Sequence, residues 1–295
     1  MLKRTLFFTN PMYMSLKDKQ LVFCPLGADG PLSSVPIEDI GYVVLENQMD
    51  RVTLPLLNAL ADNNTAVILC NDKSMPNAML LNLDSNNTQA EGYRFQVEAS
   101  APLKKSIWKQ TVESKIRNQS FLLKKLGYDG DCLKVYYMNV KSGDSDNREG
   151  IAAKSYWKLL FGKDFIRSRE LSTPNNLLNY GYTILRAAVA RALMGSGLFP
   201  AFGIFHRNRY NAFPLADDIM EPYRPFVDEI VYELFFSGDT ELTQTVKAKL
   251  VSVLTADTMF SNTRRPLDVG LSMTTASLAK CFAGKQKQVS YPRLK

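Results

Sequence analysis

The sequence predicts an α+β protein, with a small β-rich module over residues 1–88 followed by a larger all-α domain over 89–295. Three observations carry that prediction. Short β-prone runs separated by turn formers fill the first 85 residues. From residue 90 onward the apolar positions recur at helical spacing. The charge divides near the same place: residues 1–100 hold 7 Lys and Arg against 11 Asp and Glu, and the remaining 195 hold 29 against 18.

In the first module the runs Thr5 to Phe8, Gln20 to Cys24, Gly41 to Leu45 and Ala66 to Cys70 read as strands, the last as a buried one because it is continuously apolar. Leu26 to Pro36 is dense in Gly, Ser and Pro and reads as a turn-rich connection. Pro55 to Asn63 reads as a short helix with Leu56, Leu57 and Leu60 on one side. Asn71 to Asn87 is polar, contains Pro76, and reads as the end of the module or a loop leaving it.

In the second domain Lys104 to Leu126 places Ile107, Trp108, Val112, Ile116 and Phe121 or Leu122 at helical spacing opposite Lys and Arg, an amphipathic basic helix ending near Gly127. Such a helix either covers the core or sets its polar side against phosphates. Ser, Asp and Asn in Lys141 to Asn147 are placed to cap a helix opening at Arg148-Glu149, and the small residues 150, 152 and 153 leave room for another backbone. Glu149 then sits in a first turn, where the helix dipole alone accounts for an acid. Ser172-Thr173-Pro174 marks another helix start with Thr173 as N-cap, and the Leu, Tyr, Val and Ala positions up to Leu193 make it a central, closely packed helix. Phe226 to Phe236 and Leu242 to Leu254 read as two more helices, and the basic tail after Lys280 as loose.

The net charge of +7 divides into −4 over residues 1–100 (7 against 11) and +11 over the rest (29 against 18), and the basic part is as expected of a polyanion-binding face or of ordinary solvated lysines. Cys24, Cys70, Cys132 and Cys281 are scattered without metal-ligand spacing and read as reduced packing residues. The apolar run Leu6 to Phe8 is too short for a secretory leader, and no stretch reaches membrane-spanning length, so a cytoplasmic location with no membrane partner is expected.

The chemistry concentrates in Gly203 to Glu229, which holds the only histidine, His206, followed by Asp217, Asp218 and Glu221. Asp218 and Glu221 are three apart and share a face if helical. One imidazole among carboxylates suits Mg²⁺ or Mn²⁺, and the absence of a second histidine or a cysteine pair argues against a zinc cage. Arg207, Arg209 and Arg224 lie among the acids, as phosphate handling around a metal requires. The alternative is a solvated helix start beside a packed histidine.

Three phrases in order, REGIAAKSYWK from Arg148, TPNNLLNYGYTILRAAVARALMGSGL from Thr173 and GIFHRNRYNAFPLADDIMEPYRP from Gly203, resemble the CRISPR-associated integrase, the adaptation nuclease that inserts new spacers into CRISPR arrays. The likeness covers most of residues 140–230, and the MEPYRP phrase looks most like type II versions. It implies an N-terminal β module that pairs into a homodimer and a helical domain that carries catalysis. The family's metal ligands are a glutamate opening one helix, a histidine after a turn and a carboxylate opening a later helix. Those roles fall on Glu149, His206 and Glu221, with Asp218 as an accessory acid beside them. Glutamate at 221 departs from the aspartate of many other CRISPR types, keeping the charge and adding a methylene of reach.

The activity implied is metal-dependent attack of a 3′-hydroxyl of a short duplex on a phosphodiester of the repeat, with nuclease activity as its counterpart in water. The alternatives are a non-catalytic DNA-binding scaffold and a general metal-dependent phosphodiesterase. Lys154, Lys158, Arg167, Arg207, Arg209, Arg264 and Arg265 are candidate contacts to double-stranded DNA. By resemblance the partners are a small ferredoxin-like adaptation protein and, in a type II locus, the RNA-guided effector nuclease and a ring-shaped accessory protein, in a prokaryotic cytoplasm.

Overall fold

The computed structural model describes residues 3–28, 30, 32–168, 172–206 and 208–294. The chain divides into two compact units, Met1–Asn87 and Thr88–Lys295.

The first unit contains β1 (Arg4–Phe8), β2 (Met12–Lys17), β3 (Gln20–Pro25), β4 (Ser33–Pro36), β5 (Ile40–Leu45), β6 (Arg51–Val52), α1 (Leu54–Asp62), β7 (Ala66–Cys70) and β8 (Pro76–Leu80). They form two four-stranded sheets, ordered β1-β5-β7-β8 and β4-β3-β2-β6. β5 runs parallel to both β1 and β7. All six of its residues are buried, which is why IGYVVL is apolar throughout rather than alternating. Met14, Leu21, Ile40, Val43, Leu56, Leu60 and Val67 join both sheets and α1 in one core.

Besides the two-residue β6, three strands of this unit escape the sequence pattern, for identifiable reasons. β2 meets β3 through Asp18 and Lys19, both at positive φ, a tight hairpin made without the usual Asn-Gly signal. β4 lies inside the expected turn-rich connection, with only Val35 buried between polar neighbours. β8 lies inside the expected exit loop: Pro76 is its first residue and the strand forms a sheet edge, where a missing N–H costs no ladder bond.

The second unit is helical: α2 (Gln89–Glu98), α3 (Ala101–Lys125), α4 (Lys134–Tyr137), α5 (Arg148–Phe161), α6 (Asn175–Gly195), α7 (Pro214–Met220), a 3₁₀ turn (Glu221–Tyr223), α8 (Arg224–Phe236), α9 (Gln244–Val251) and α10 (Leu267–Phe282). It is not all-α, because β9 (Asp257–Phe260) and β10 (Thr263–Pro266) form an antiparallel ribbon that carries Arg264 and Arg265. α6 packs on α7, α8, α9 and α10, and α3 on α4, α5 and α8. α3 is a core helix rather than a basic surface helix. Trp108, Thr111, Val112, Ser114, Lys115, Ile116, Asn118 and Gln119 are all buried along it.

α6 begins at Asn175, one residue later than expected, and Thr173 provides no side-chain cap. Asn175 instead secures the preceding loop, accepting from the Ser168 N–H at 3.0 Å and donating to the Ile166 carbonyl at 3.0 Å. The space left by Gly150 is filled by the Asn147 side chain of its own helix cap, 2.7 Å from where a Cβ would stand. The tail is packed rather than loose. Val289 and Leu294 are buried, Arg293 exchanges backbone hydrogen bonds with Met259, and the Val289 N–H donates to Gln110 Oε1 at 2.9 Å.

Candidate active site

Glu149 stands in the first turn of α5, a helix start built by side chains. Asp144 accepts from the backbone N–H groups of Arg148 and Glu149 at 2.8 and 3.1 Å, and Asn147, in the left-handed region at φ 53°, accepts from Gly150 at 3.2 Å. The loop before α7 is held in the same manner. Asp218, fully buried, accepts from the N–H groups of Ile204, Phe205 and His206 at 2.6, 3.0 and 3.2 Å. Gly203 opens this loop, where a Cβ would come within 2.7 Å of the His206 carbonyl oxygen.

The His206 ring is fixed from two directions. Its Nδ1 lies 2.6 Å from Asp218 Oδ1, and it stands edge-on to Trp108 and Phe205, which stack on each other at 4.2 Å. With Nδ1–H donated to the carboxylate, Nε2 carries the lone pair. The Asp218 hydrogen bond raises the imidazole pKa against the opposing effect of burial, and Glu221 adds to the rise.

Glu221 follows α7 in the 3₁₀ turn, which Pro222 and Pro225 separate from regular helix on either side. Asn118 of α3 donates to the Pro222 carbonyl at 2.7 Å, satisfying a group the interrupted helix leaves open. Glu221 is buried, 3.0 Å from Arg224 Nε. Burial raises its pKa, but Arg224 and then Lys115 outweigh burial, and the carboxyl stands below its usual range. The helix does not run continuously from Asp218 to Glu221, and the two acids serve different partners.

Lys115, absent from the sequence-based candidates, is the centre of the arrangement. Its Nζ lies 2.5 Å from Glu149 Oε1 and 2.5 Å from Glu221 Oε2, bridging the two carboxylates. Burial lowers the ammonium pKa, Glu149 and Glu221 outweigh it, and the net direction is up. Its signal in the sequence is positional: Trp108, Val112, Lys115, Gln119 and Leu122 follow one another at intervals of three and four, so a lysine sits on the buried stripe.

The structure therefore brings Glu149 and Glu221 together across an ammonium, and His206 together with Asp218. His206 and Glu221 lie within electrostatic reach of each other. Among the described residues no three His, Cys, Asp or Glu side chains stand close enough to hold a metal ion. The donor chemistry nonetheless fits a hard divalent cation. Two carboxylates from separate helical elements converge on one point that already carries positive charge, and an oriented imidazole accompanies them.

The basic candidates differ in kind. Lys154 and Lys158 are exposed one turn apart on α5, and Arg265 is exposed on β10. Arg264 is exposed 3.5 Å from Asp257, and exposed Arg209 lies over the Tyr210 ring. Arg167 is committed inward, donating to Asn175 at 3.0 Å and Asn179 at 2.7 Å and covering the Tyr182 ring. Arg207 lies outside the described residues.

The model of the family described as CRISPR associated protein Cas1 matches residues 6–259. A CRISPR-associated endonuclease Cas1 from Neisseria meningitidis serogroup C is 38% identical over 255 residues, covering 85% of this chain and 83% of that one. The chain belongs to the Cas1 family. The fold of this Cas1-family chain is shared with a casposase bound to its integration product, with a TM-score of 0.79 at 21% identity over 98% of this chain and 93% of that one. It is shared also with a chain of a Cas6-RT-Cas1–Cas2 complex, with a TM-score of 0.75 at 20% identity over 99% of this chain and 36% of that one. At these identities the likeness is one of fold, and it agrees with a β-rich N-terminal part followed by a large helical part. Among the described residues no helix is long and apolar enough to cross a membrane.

Proposed function

We propose that this Cas1-family endonuclease and integrase joins the 3′-hydroxyl ends of a short DNA duplex to a phosphodiester of a CRISPR repeat, with Glu149, His206 and Glu221 holding one Mg²⁺ or Mn²⁺. The observation that carries the site is the convergence of Glu149 and Glu221 on a single cationic point within one helical unit. When bound there, such an ion would supply Lewis-acid polarisation of the scissile phosphate and would offset charge on the attacking or leaving oxygen.

The chain's own residues prepare that site. Asp218 holds Nδ1–H of His206 and so presents Nε2. Arg224 and Lys115 keep Glu221 ionised despite burial, and the side chains that cap α5 fix the backbone from which Glu149 projects. Lys154 and Lys158, both exposed on α5, are proposed as contacts to DNA phosphates. Strand transfer by a DNA hydroxyl needs no covalent protein intermediate.

The partners follow the same reading. A small ferredoxin-like adaptation protein, Cas2, is proposed because a solved Cas6-RT-Cas1–Cas2 complex contains a chain of this fold. Homodimerisation through the β-rich unit, association with an RNA-guided effector nuclease and a ring-shaped accessory protein, and a cytoplasmic location are proposed from the family resemblance alone.

The experiment is strand transfer of a short duplex into supercoiled DNA carrying a repeat, with Cas2, in Mn²⁺, Mg²⁺ or EDTA. Metal-dependent joining is expected, and it should vanish in Glu149→Ala, His206→Ala and Glu221→Ala while DNA binding persists. Full joining by any of these variants would remove that residue from the site.

A further inference from the structure

Lys115 enters the site from the core side, on a helix that otherwise buries aromatic, aliphatic and amide groups. An unpaired ammonium there would be costly, and two carboxylates brought to one buried point would repel each other. Each charge is tolerable only because the others are present. The two acids do not depend on Lys115 equally. Glu221 also has Arg224 at 3.0 Å on its other oxygen, whereas Glu149 makes its ion pair with Lys115 and keeps a partly exposed side chain.

We infer that Lys115 is a positioning residue, a resident counter-cation that holds Glu149 and Glu221 together in the metal-free enzyme and gives way when a divalent cation enters. This inference rests on the metal site proposed above. An ammonium and a divalent ion cannot both lie between the same two carboxylates, since they would repel at contact distance. Lysine suits an exchange of this kind, because its charge is a point on a flexible four-carbon stem that can swing away without moving the helix. Glu149 is the more exposed of the two acids, its side chain 23% accessible against 4% for Glu221, so the site is more open on its side. The metal-free protein thereby keeps its acids ordered, and the cation must displace an internal competitor to bind.

Isothermal titration of Mn²⁺ into the full chain tests this with a readout independent of turnover. Lys115→Met should bind Mn²⁺ about tenfold more tightly than the wild type, because the competitor is gone. It should also melt at lower temperature without metal and show a larger Mn²⁺-induced rise in melting temperature. Equal or weaker Mn²⁺ binding by Lys115→Met, with wild-type binding abolished by His206→Ala, overturns the role of Lys115 and leaves the metal site standing. No Mn²⁺ binding by the wild type, or binding indifferent to His206→Ala, overturns the metal site and the inference with it. A second measurement needs no variant: amine acetylation of the wild-type protein read by mass spectrometry. Lys115 should be protected without metal and label severalfold faster with saturating Mn²⁺, and identical labelling in both states overturns the exchange.

Discussion

Nδ1 of His206 lies 2.6 Å from Oδ1 of Asp218, the side-chain contact in a set of four by which one buried carboxylate holds one loop. The histidine's position and its tautomer thus have a common cause. All four donors point at an acceptor-only group, which an amide cannot imitate on both oxygens.

Asp218→Asn is therefore expected to reduce strand transfer about 10- to 100-fold, the range found when a histidine ligand is deprived of its supporting carboxylate. The amide nitrogen would face either the Ile204 and Phe205 N–H groups or His206, so stability should fall as well, by about 1–3 kcal/mol for each donor left unpaired in the interior. Initial joining rates at saturating Mn²⁺, together with urea unfolding, check both effects. Wild-type rates would show that His206 is oriented by its ring packing alone.

Lys154 and Lys158 should belong to the DNA footprint, and Arg167 should not. Charge reversal of both lysines is expected to weaken duplex binding and to lower the slope of log affinity against log salt by about 0.9 for each phosphate no longer neutralised. Arg167→Ala should leave that slope unchanged and reduce stability, because its guanidinium ties the 166–168 loop to Asn175 and Asn179. Fluorescence anisotropy across a salt series separates the two; a slope unaffected by the lysine reversals would place the footprint elsewhere.

Deleting residues 289–295 should destabilise the helical unit even though the segment is basic and terminal. Asn118 donates to the Pro292 carbonyl at 3.1 Å and accepts from the Leu294 N–H at 3.1 Å, while Tyr291 and Thr111 share a hydroxyl hydrogen bond of 2.7 Å. Removing these bonds together with buried Val289 and Leu294 should cost several kcal/mol, roughly 1 for each hydrogen bond and about 1.5–3 for each fully buried apolar side chain. Asn118→Leu should reproduce part of that destabilisation. A melting temperature unchanged by the deletion would show that the tail contributes nothing to the fold.

Asp228 should give the protein an acid-side gain in stability. It is buried between the hydroxyls of Tyr156 and Tyr182, and burial pushes its pKa up to about 6 against the pull of those hydroxyls and of Arg224 and Arg167. A carboxyl raised in the folded state favours folding in its protonated form. Its contribution is full below the unfolded pKa near 3.8 and is lost as pH rises through about 6. The stability of wild type relative to Asp228→Asn should accordingly rise by about 2–3 kcal/mol as pH falls from 7 to 4. Guanidinium unfolding of both proteins across that range measures it, and a flat difference would mean that Asp228 titrates normally.

The α+β division, the strands β1, β3, β5 and β7, the helix starting at Arg148 and the central helix ending before Gly197 are all legible in the amino-acid order, because in each of these local periodicity or capping chemistry agrees with burial. Glu149, His206, Asp218 and Glu221 stand out there too, through one rare residue type set among acids and through the family phrases around them. Which of these share a partner is a matter of packing. That Glu149 and Glu221, 72 residues apart in the chain, meet at one point follows from the way α5 and the Glu221 turn pack against α3. A charged side chain on an apolar stripe shows its purpose only when the opposite charges are in place. For that reason Lys115 reads locally as one more solvated lysine, and the tail, whose backbone groups are satisfied by side chains more than 170 residues away, reads as loose. Charge and amide partners of this kind are long-range contacts with no periodicity of their own, and only the folded chain pairs them.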